Sequence, residues 1–269
     1  MTVFTTFFGN TAYLDQTISS VLSQTFRDFE YLIVNDGDSR EKSDGIRARF
    51  NDPRIRIENL ERLGTARARQ RGLEMARSDL IAIIDSDDIC EPDRLERQVA
   101  FLRQHADHVV VGSAVQLIDE QSKTIGFRYY PIEDEEIRRK LPIFNCIAQP
   151  SATARRSALL DAGGYTPEFP STEDYDLWFR VARLGKLHNL HEPLIRYRIH
   201  QGAGKSLWLK QQLRDTIRVK WKASRKYGYR LTPAAAVSLA THVPLLLLPP
   251  AVTLALFKRM VAREKRTTA

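Results

Sequence analysis

Cysteine is almost missing from this 269-residue sequence. The two present, Cys90 and Cys146, are far apart and lack metal-ligand spacing. A disulfide framework or cysteine zinc site is therefore not expected, and a reducing, cytosolic setting is the default. The N-terminus has no basic stretch ahead of an apolar one. MTVFTTFF reads as a strand from its third residue, so no signal peptide is expected. Internal repeats and low-complexity tracts are lacking too. What remains is 43% hydrophobic and 28% charged, which suits one large globular domain or two small ones.

Acidic residues are scarce in one region only. Residues 1–204 hold 27 Lys and Arg against 31 Asp and Glu, whereas residues 205–269 hold 14 against 2. The overall charge of +8 is thus a mildly acidic body, net −4, with a basic tail, net +12. Such a tail suits a polyanionic surface, either nucleic acid or anionic lipid.

The first half alternates strand-like and helix-like segments. VFTTFF (3–8), FEYLIVND (29–36), RIRIENL (54–60), DLIAIID (79–85) and HVVVGSAVQLID (108–119) read as strands. Between them, residues 13–23 place Leu14, Ile18, Val21 and Leu22 on one helical face. TARARQRGLEMA follows Gly64 as a helix, and Pro92 opens another. Alternation of this kind implies crossover units, an α/β class and a mostly parallel, Rossmann-like sheet. Ligands of such sheets bind beyond the carboxyl ends of the strands. Two polar clusters fall there: Asn35-Asp36-Gly37-Asp38 and Asp85-Ser86-Asp87-Asp88.

The second half begins with a hairpin turning near residues 120–123, then a short helix DEEIRRKL. Residues 145–165 mix loop and helix up to Gly163-Gly164. A helix with an acidic first turn starts at Ser171 or Thr172, and HEPLIRYRIH is a further strand.

The run IAIIDSDD (81–88) ends a buried strand with three carboxylates in four positions. A D-x-D turn can aim two of them at Mg²⁺ or Mn²⁺, which takes one or two protein carboxylates plus substrate phosphates. The same residues also read as a solvated acidic turn before the Pro92 helix. Likewise Glu173-Asp174-Tyr175-Asp176 reads either as a proton acceptor for a hydroxyl nucleophile or as charge complementing a helix N-terminus.

FEYLIVNDGDS, RLGTARARQRGLEMARSDLIAIIDSDD and PDRL, in this order and spacing, resemble the nucleotide-binding half of the family 2 glycosyltransferases with the GT-A fold. The resemblance covers residues 2–119 and resumes at STEDYDLWFR and RYRIH. It implies an inverting, metal-dependent sugar transferase using Mn²⁺ or Mg²⁺. A nucleotide-sugar donor, a UDP-sugar by family habit, and a lipid-linked or polysaccharide acceptor would be its partners. Asp36 would bond the base. Asp85 would lie near the ribose and the metal, with Ser86 beside it. Asp87 would ligate the metal, with Asp88 a second ligand or helix cap. Arg69 would position the nucleotide or the acidic loop. Asp174 would be the base, and Glu173 would orient it or touch the donor sugar. Asp176 lies on another helical face. His200 would contact the diphosphate or metal, and Arg196 and Arg198 the departing diphosphate. QPSATARR, with Arg155 and Arg156, would line the acceptor site. Where the family has a proline and then Tyr-Asn, this chain has Thr5-Thr6-Phe7-Phe8-Gly9-Asn10. Thr6 and Phe8 join the donor-site set there, Phe8 as a stacking ring.

The tail divides in two. In residues 206–226, Leu209, Leu213, Ile217 and Trp221 recur every four residues beside Lys210, Arg214, Arg218 and Lys222. With Trp208, this fits an interfacial membrane helix, or one packed on the body by its apolar face. Ala234–Phe257 is uncharged apart from His242, holds Pro244, Pro249 and Pro250, and ends at Lys258-Arg259. A single span would place that basic end on the wrong side of the membrane. A surface-lying or re-entrant hairpin broken near Pro249-Pro250 is therefore expected, with the protein on the cytoplasmic face. The expected divisions are 1–118 (donor), 119–204 (acceptor and base), 205–232 (basic helix) and 233–269 (apolar segment and basic end). A non-catalytic nucleotide-sugar-binding scaffold is the alternative function. Nucleic acid is not the expected partner, because the uncharged run beside the basic helix favours lipid.

Overall fold

Along the first strand, β1 (Thr2–Phe7), side chains alternate between two cores. Val3 and Phe7 join one buried cluster and Phe4 the other. A strand buried on both faces must be a central one. In the computed structural model, which describes residues 1–9, 11–200, 209–230 and 232–247, β1 lies inside a sheet of nine strands. The others are β2 (Glu30–Asp36), β3 (Ile55–Leu60), β4 (Leu80–Ile83), β5 (Ile89–Cys90), β6 (His108–Ile118), β7 (Thr124–Arg128), β8 (Thr153–Arg155) and β9 (Lys186–Arg198). The order is β3-β2-β1-β4-β8-β6-β9-β5, with β7 paired to β6.

Strands β3, β2, β1 and β4 are parallel, as the alternating sequence predicts. Beyond them β8 runs antiparallel to both β4 and β6, and β9 is parallel to β6. One sheet therefore takes strands from both sides of residue 118. The helices α1 (Leu14–Leu22), α2 (Arg40–Arg49) and α4 (Arg94–Gln104) bury apolar residues with Val3 and Ile33. On the other face, α3 (Thr65–Met75), α5 (Asp134–Lys140), α6 (Arg156–Asp161) and α7 (Glu173–Val181) pack with Phe4, Leu32 and Trp178. Helix α2 is absent from the apolar pattern because it buries only Ser43 and Ile46.

Parallel order brings the carboxyl ends of β1, β2 and β4 to one edge. Residues 7–9, 36–38 and 85–88 meet there. At that edge Gly37 has φ +84, and a Cβ on it would sit 2.5 Å from the Arg62 backbone nitrogen. Only glycine allows this approach.

Four buried or half-buried arginines tie strands and helices together through backbone carbonyls. Arg94 is wholly buried; its Nη2 donates to the Ile83 and Ala152 carbonyls at 2.8 and 3.2 Å, and its Nε to Gln98 at 3.1 Å. Arg155 donates to the Leu102 and His105 carbonyls, and Arg156 to those of Leu73 and Glu74. These are the last carbonyls of α4 and α3, where a cation is favoured. Arg155 and Arg156 are thus helix-end partners, which corrects their assignment to an acceptor wall. Arg180 similarly reaches Gly164 O at 2.8 Å.

The amphipathic stretch forms a helix, α8 (Leu209–Lys226), followed by α9 (Pro233–Leu247). Helix α8 lies on the body and buries Leu213, Asp215, Val219, Lys220 and Ala223, while Trp221 stays 50% exposed. The four-residue apolar stripe therefore starts on the buried face and leaves it as it runs. Each four-residue step overshoots a helical turn by about 40°. Among the described residues no helix is long and apolar enough to cross a membrane. Trp208, Pro249-Pro250 and Lys258-Arg259 lie outside the described residues. Both cysteines are free and buried.

Replacing Arg94 with Met should lower stability by about 3 kcal/mol, because the Ile83 carbonyl loses this donor, the Ala152 carbonyl keeps only Ile83 N–H, and Gln98 loses a partner. Arg97→Ala, in an exposed pair with Asp93 and Glu192, should cost under about 1 kcal/mol. Urea titration measures both; equal losses would show that the carbonyl contacts of Arg94 carry no special weight.

Candidate active site

Asp36 ends β2 and is 2% exposed. Its carboxylate accepts the backbone N–H of Leu63 at 2.8 Å and of Gly64 at 3.1 Å, and pairs with Arg62. It fixes the 62–64 loop that Gly37 lets approach. The Arg62 guanidinium lies 3.5 Å over the ring of Phe8, which is 49% exposed at the end of β1. Phe8 and Arg62 thus form a stacked, open platform beside Asp36. Thr6 is half-buried, and its neighbour Thr5 is spent on the Tyr31 hydroxyl at 2.9 Å. Asp38 closes this corner by accepting Gly9 N–H at 2.8 Å and Lys42 at 2.6 Å.

The DSDD turn follows β4. Asp85 pairs with Arg69 of α3 at 2.5 Å. Arg69 also pairs with Glu173, the first residue of α7, 104 positions further along the chain. One guanidinium therefore joins the acidic turn to the acidic helix start. Burial works against the Arg69 charge, but Asp85 and Glu173 more than offset it and raise its pKa. Burial raises the Glu173 carboxyl to about 7; Asp174 adds to the rise and Arg69 opposes it.

Asp87 and His200 meet across the turn, with Oδ2 to Nε2 at 2.9 Å. Asp87 keeps 31% of its side chain exposed and His200 6%. Asp88 is 1% exposed and accepts Arg198 N–H at 2.8 Å. It is used inside the fold, between the turn and β9. Ser86 is half-buried in the turn. Among the described residues no three His, Cys, Asp or Glu side chains are grouped to hold a metal. The partly exposed Asp87 and the buried His200 behind it instead offer one oxygen and one nitrogen donor. That set fits a divalent cation shared with a donor's phosphates.

Asp174 is half-buried, and Asn145 Nδ2 donates to its Oδ2 at 3.0 Å. Asp176 is fully buried and faces elsewhere, paired with Arg180 at 2.9 Å and bonded by the Tyr227 hydroxyl at 3.0 Å. The structure thus brings Asp85, Arg69 and Glu173 together, with Asp174 next to Glu173 on α7. Asp36 and Phe8 form a separate corner at the same edge.

Two expectations for basic residues change. Arg196 pairs with Glu91 at 2.6 Å. Arg198 is 1% exposed, and donates to the carbonyls of Asp87 and Asp119, to Ser122 Oγ and to Gln16 Oε1. Both hold strands and turns rather than standing ready for a diphosphate. Sequence reasoning missed Arg62 and Asn145. Arg62 had one signal, its place just after β3 at the same sheet edge; Asn145 lay in a segment without periodicity.

A model of the family described as glycosyl transferase family 2 matches residues 2–163. The chain belongs to glycosyltransferase family 2. Similar proteins include the O-antigen biosynthesis glycosyltransferase WbnJ of Escherichia coli, 36% identical over 193 residues, covering 70% of this chain and 75% of that one. The amylovoran biosynthesis glycosyltransferase AmsE of Erwinia amylovora is 29% identical over 188 residues, covering 69% and 70%. Among solved structures, S. aureus TarS 1-349 in complex with UDP-GlcNAc aligns with a TM-score of 0.66 at 17% identity, over 90% of this glycosyltransferase and 71% of that chain. The architecture is GT-A.

Replacing Arg69 with Gln removes the cation that opposes the rise at Glu173. A carboxyl whose folded pKa exceeds its unfolded value loses stability as pH climbs between the two. The variant should therefore match the parent most closely below pH 4.5, the ordinary value for this carboxyl, and fall behind as pH passes about 7. The deficit there should reach roughly 3–5 kcal/mol. Chemical denaturation across that range measures it; a deficit independent of pH would exclude Arg69 as the shared counter-charge.

Proposed function

We propose that this family 2 glycosyltransferase moves a sugar from a nucleotide diphosphate sugar to an acceptor hydroxyl with inversion at the anomeric carbon. The observation that carries the reading is the Arg69 bridge. It sets the DSDD turn, at a nucleotide-binding sheet edge, beside the helix start that holds Asp174. A carboxylate next to Glu173 at that helix start has a clear use. The acceptor hydroxyl is a weak nucleophile, and Asp174 takes its proton as the new bond to the anomeric carbon forms and the bond to the diphosphate breaks. Asn145 orients Asp174 for this, and pre-set geometry of that kind lowers the barrier. Glu173 is less suited, being 4% exposed and held by Arg69.

Donor binding divides along the edge. The Phe8–Arg62 platform suits a flat base, and Asp36 keeps that platform's loop in place. Asp87 and His200 would hold Mn²⁺ or Mg²⁺ against the phosphates. A divalent cation there supplies positive charge for the leaving diphosphate. A UDP-sugar is the proposed donor, consistent with the UDP-GlcNAc complex of the structural neighbour. A growing polysaccharide or its lipid-linked precursor is the proposed acceptor, in line with the O-antigen and amylovoran roles named for the relatives.

Asp174→Asn should lower kcat by about 10²-fold or more with little change in donor KM. Asp87→Ala should lower turnover and blunt its response to added Mn²⁺ or Mg²⁺. Release of nucleotide diphosphate from a panel of nucleotide-sugars, with the product's anomeric configuration read by NMR, tests the set. Unchanged turnover in both variants, or retained configuration, would sink the mechanism.

A further inference from the structure

Helix α8 has two faces with opposite tasks. Its buried face grips the segments that carry the base. Asp215, the only acid of the helix, is fully buried and accepts from Ser171 Oγ at 2.8 Å, two residues before Glu173. Lys220 is 3% exposed; burial lowers its pKa to about 8, and its Nζ donates to Ile143 O at 2.7 Å, two residues before Asn145. Lys222 pairs with Glu168 at 2.5 Å.

The outer face is different. Arg214, Arg218, Trp221 and Arg225 follow i, i+4, i+7, i+11 spacing and are all exposed. On an ideal helix they fall within about 60° of arc. The Arg225 guanidinium lies 4.8 Å over the Trp221 ring, and Trp221 is 50% exposed. No acid shares this face, because Asp215 is turned inward. Arg218 is partly engaged, at 3.3 Å from Asp215. Helix α9 follows, tied to α8 by Lys220 Nζ to Ser238 Oγ at 2.9 Å. It carries no Asp, Glu, Lys or Arg, and its Val237 is 64% exposed.

We infer that the Arg214–Arg218–Trp221–Arg225 face of α8, with the exposed side of α9, docks on an anionic lipid surface. Charge complementarity selects the occupant: arginines meet lipid phosphates while an indole ring sits at headgroup level, its apolar body inward. An uncharged helix alongside has no counterpart in phosphate-tracking nucleic-acid binding, which gains from cations alone. Docking there would leave α7 on the inner side of α8, with Asp174 held at a fixed orientation to the lipid plane. A lipid-anchored acceptor would then be presented to the base without searching the bulk. This surface stands independently of the glycosyl-transfer reading.

Sedimentation of the full chain with phosphatidylglycerol–phosphatidylcholine vesicles tests it. The parent should prefer these over pure phosphatidylcholine, and duplex DNA should compete poorly. An Arg214→Glu, Trp221→Ser, Arg225→Glu variant should lose at least about ten-fold in partitioning, since each basic residue near an anionic surface contributes roughly five-fold. Its melting curve and nucleotide-sugar turnover on a soluble acceptor should match the parent. The milder Arg214→Gln, Arg225→Gln pair, which cannot disturb the fold through repulsion, should show a smaller loss in the same direction. Partitioning unchanged in both variants would overturn the proposal and move membrane affinity to the segment beyond residue 247. Equal binding to neutral vesicles, or displacement by DNA, would overturn it too.

Discussion

One guanidinium governs the layout of this enzyme. Arg69 is buried, and its charge is balanced only because Asp85 arrives from the first half of the chain and Glu173 from the second. Neither carboxylate is comfortable there without it, and burying the cation alone would cost more than the fold could bear. The three groups are therefore satisfied together. Everything of chemical interest is arranged around that triad. Asp87 lies two residues from one partner and Asp174 one residue from the other.

A second layer of arginines makes the layout rigid. Arg198 holds the Asp87 carbonyl to the β6–β7 turn, and Arg94 holds the end of β4 to the loop before β8. These side chains donate to carbonyls rather than to carboxylates, which is the geometry of a structural cross-link. The acidic turn is thus braced from beneath by hydrogen bonds, while Asp87 stays partly exposed.

Much of this was legible in the sequence. The buried strand running into DSDD, the alternation of strand and helix, and the acidic start of α7 were all visible as patterns, and the structure places them at one edge. Burial of arginine was not legible. Arg198 read as a ligand for phosphate, and Arg155 and Arg156 as part of an acceptor wall, because a sequence shows charge but not what the charge faces. Which residues of α8 face the body was not legible for a geometric reason: a four-residue repeat drifts around a 3.6-residue helix, so Leu213 is buried and Trp221 is not. Strands β5 and β8, of two and three residues, are too short to show any period.

The Arg69 bridge also bears on modularity. A graft that joins the first part of one family member to the second part of another must keep it. A cut between residues 118 and 119 would separate Arg69 and Asp85 from Glu173, and would part β4 and β6 from β8 and β9. Any graft must therefore import its own carboxylate at the position of Glu173 and its own strand edges in matching register. The two sides of residue 118 can be recombined here only as far as that single buried charge is inherited intact.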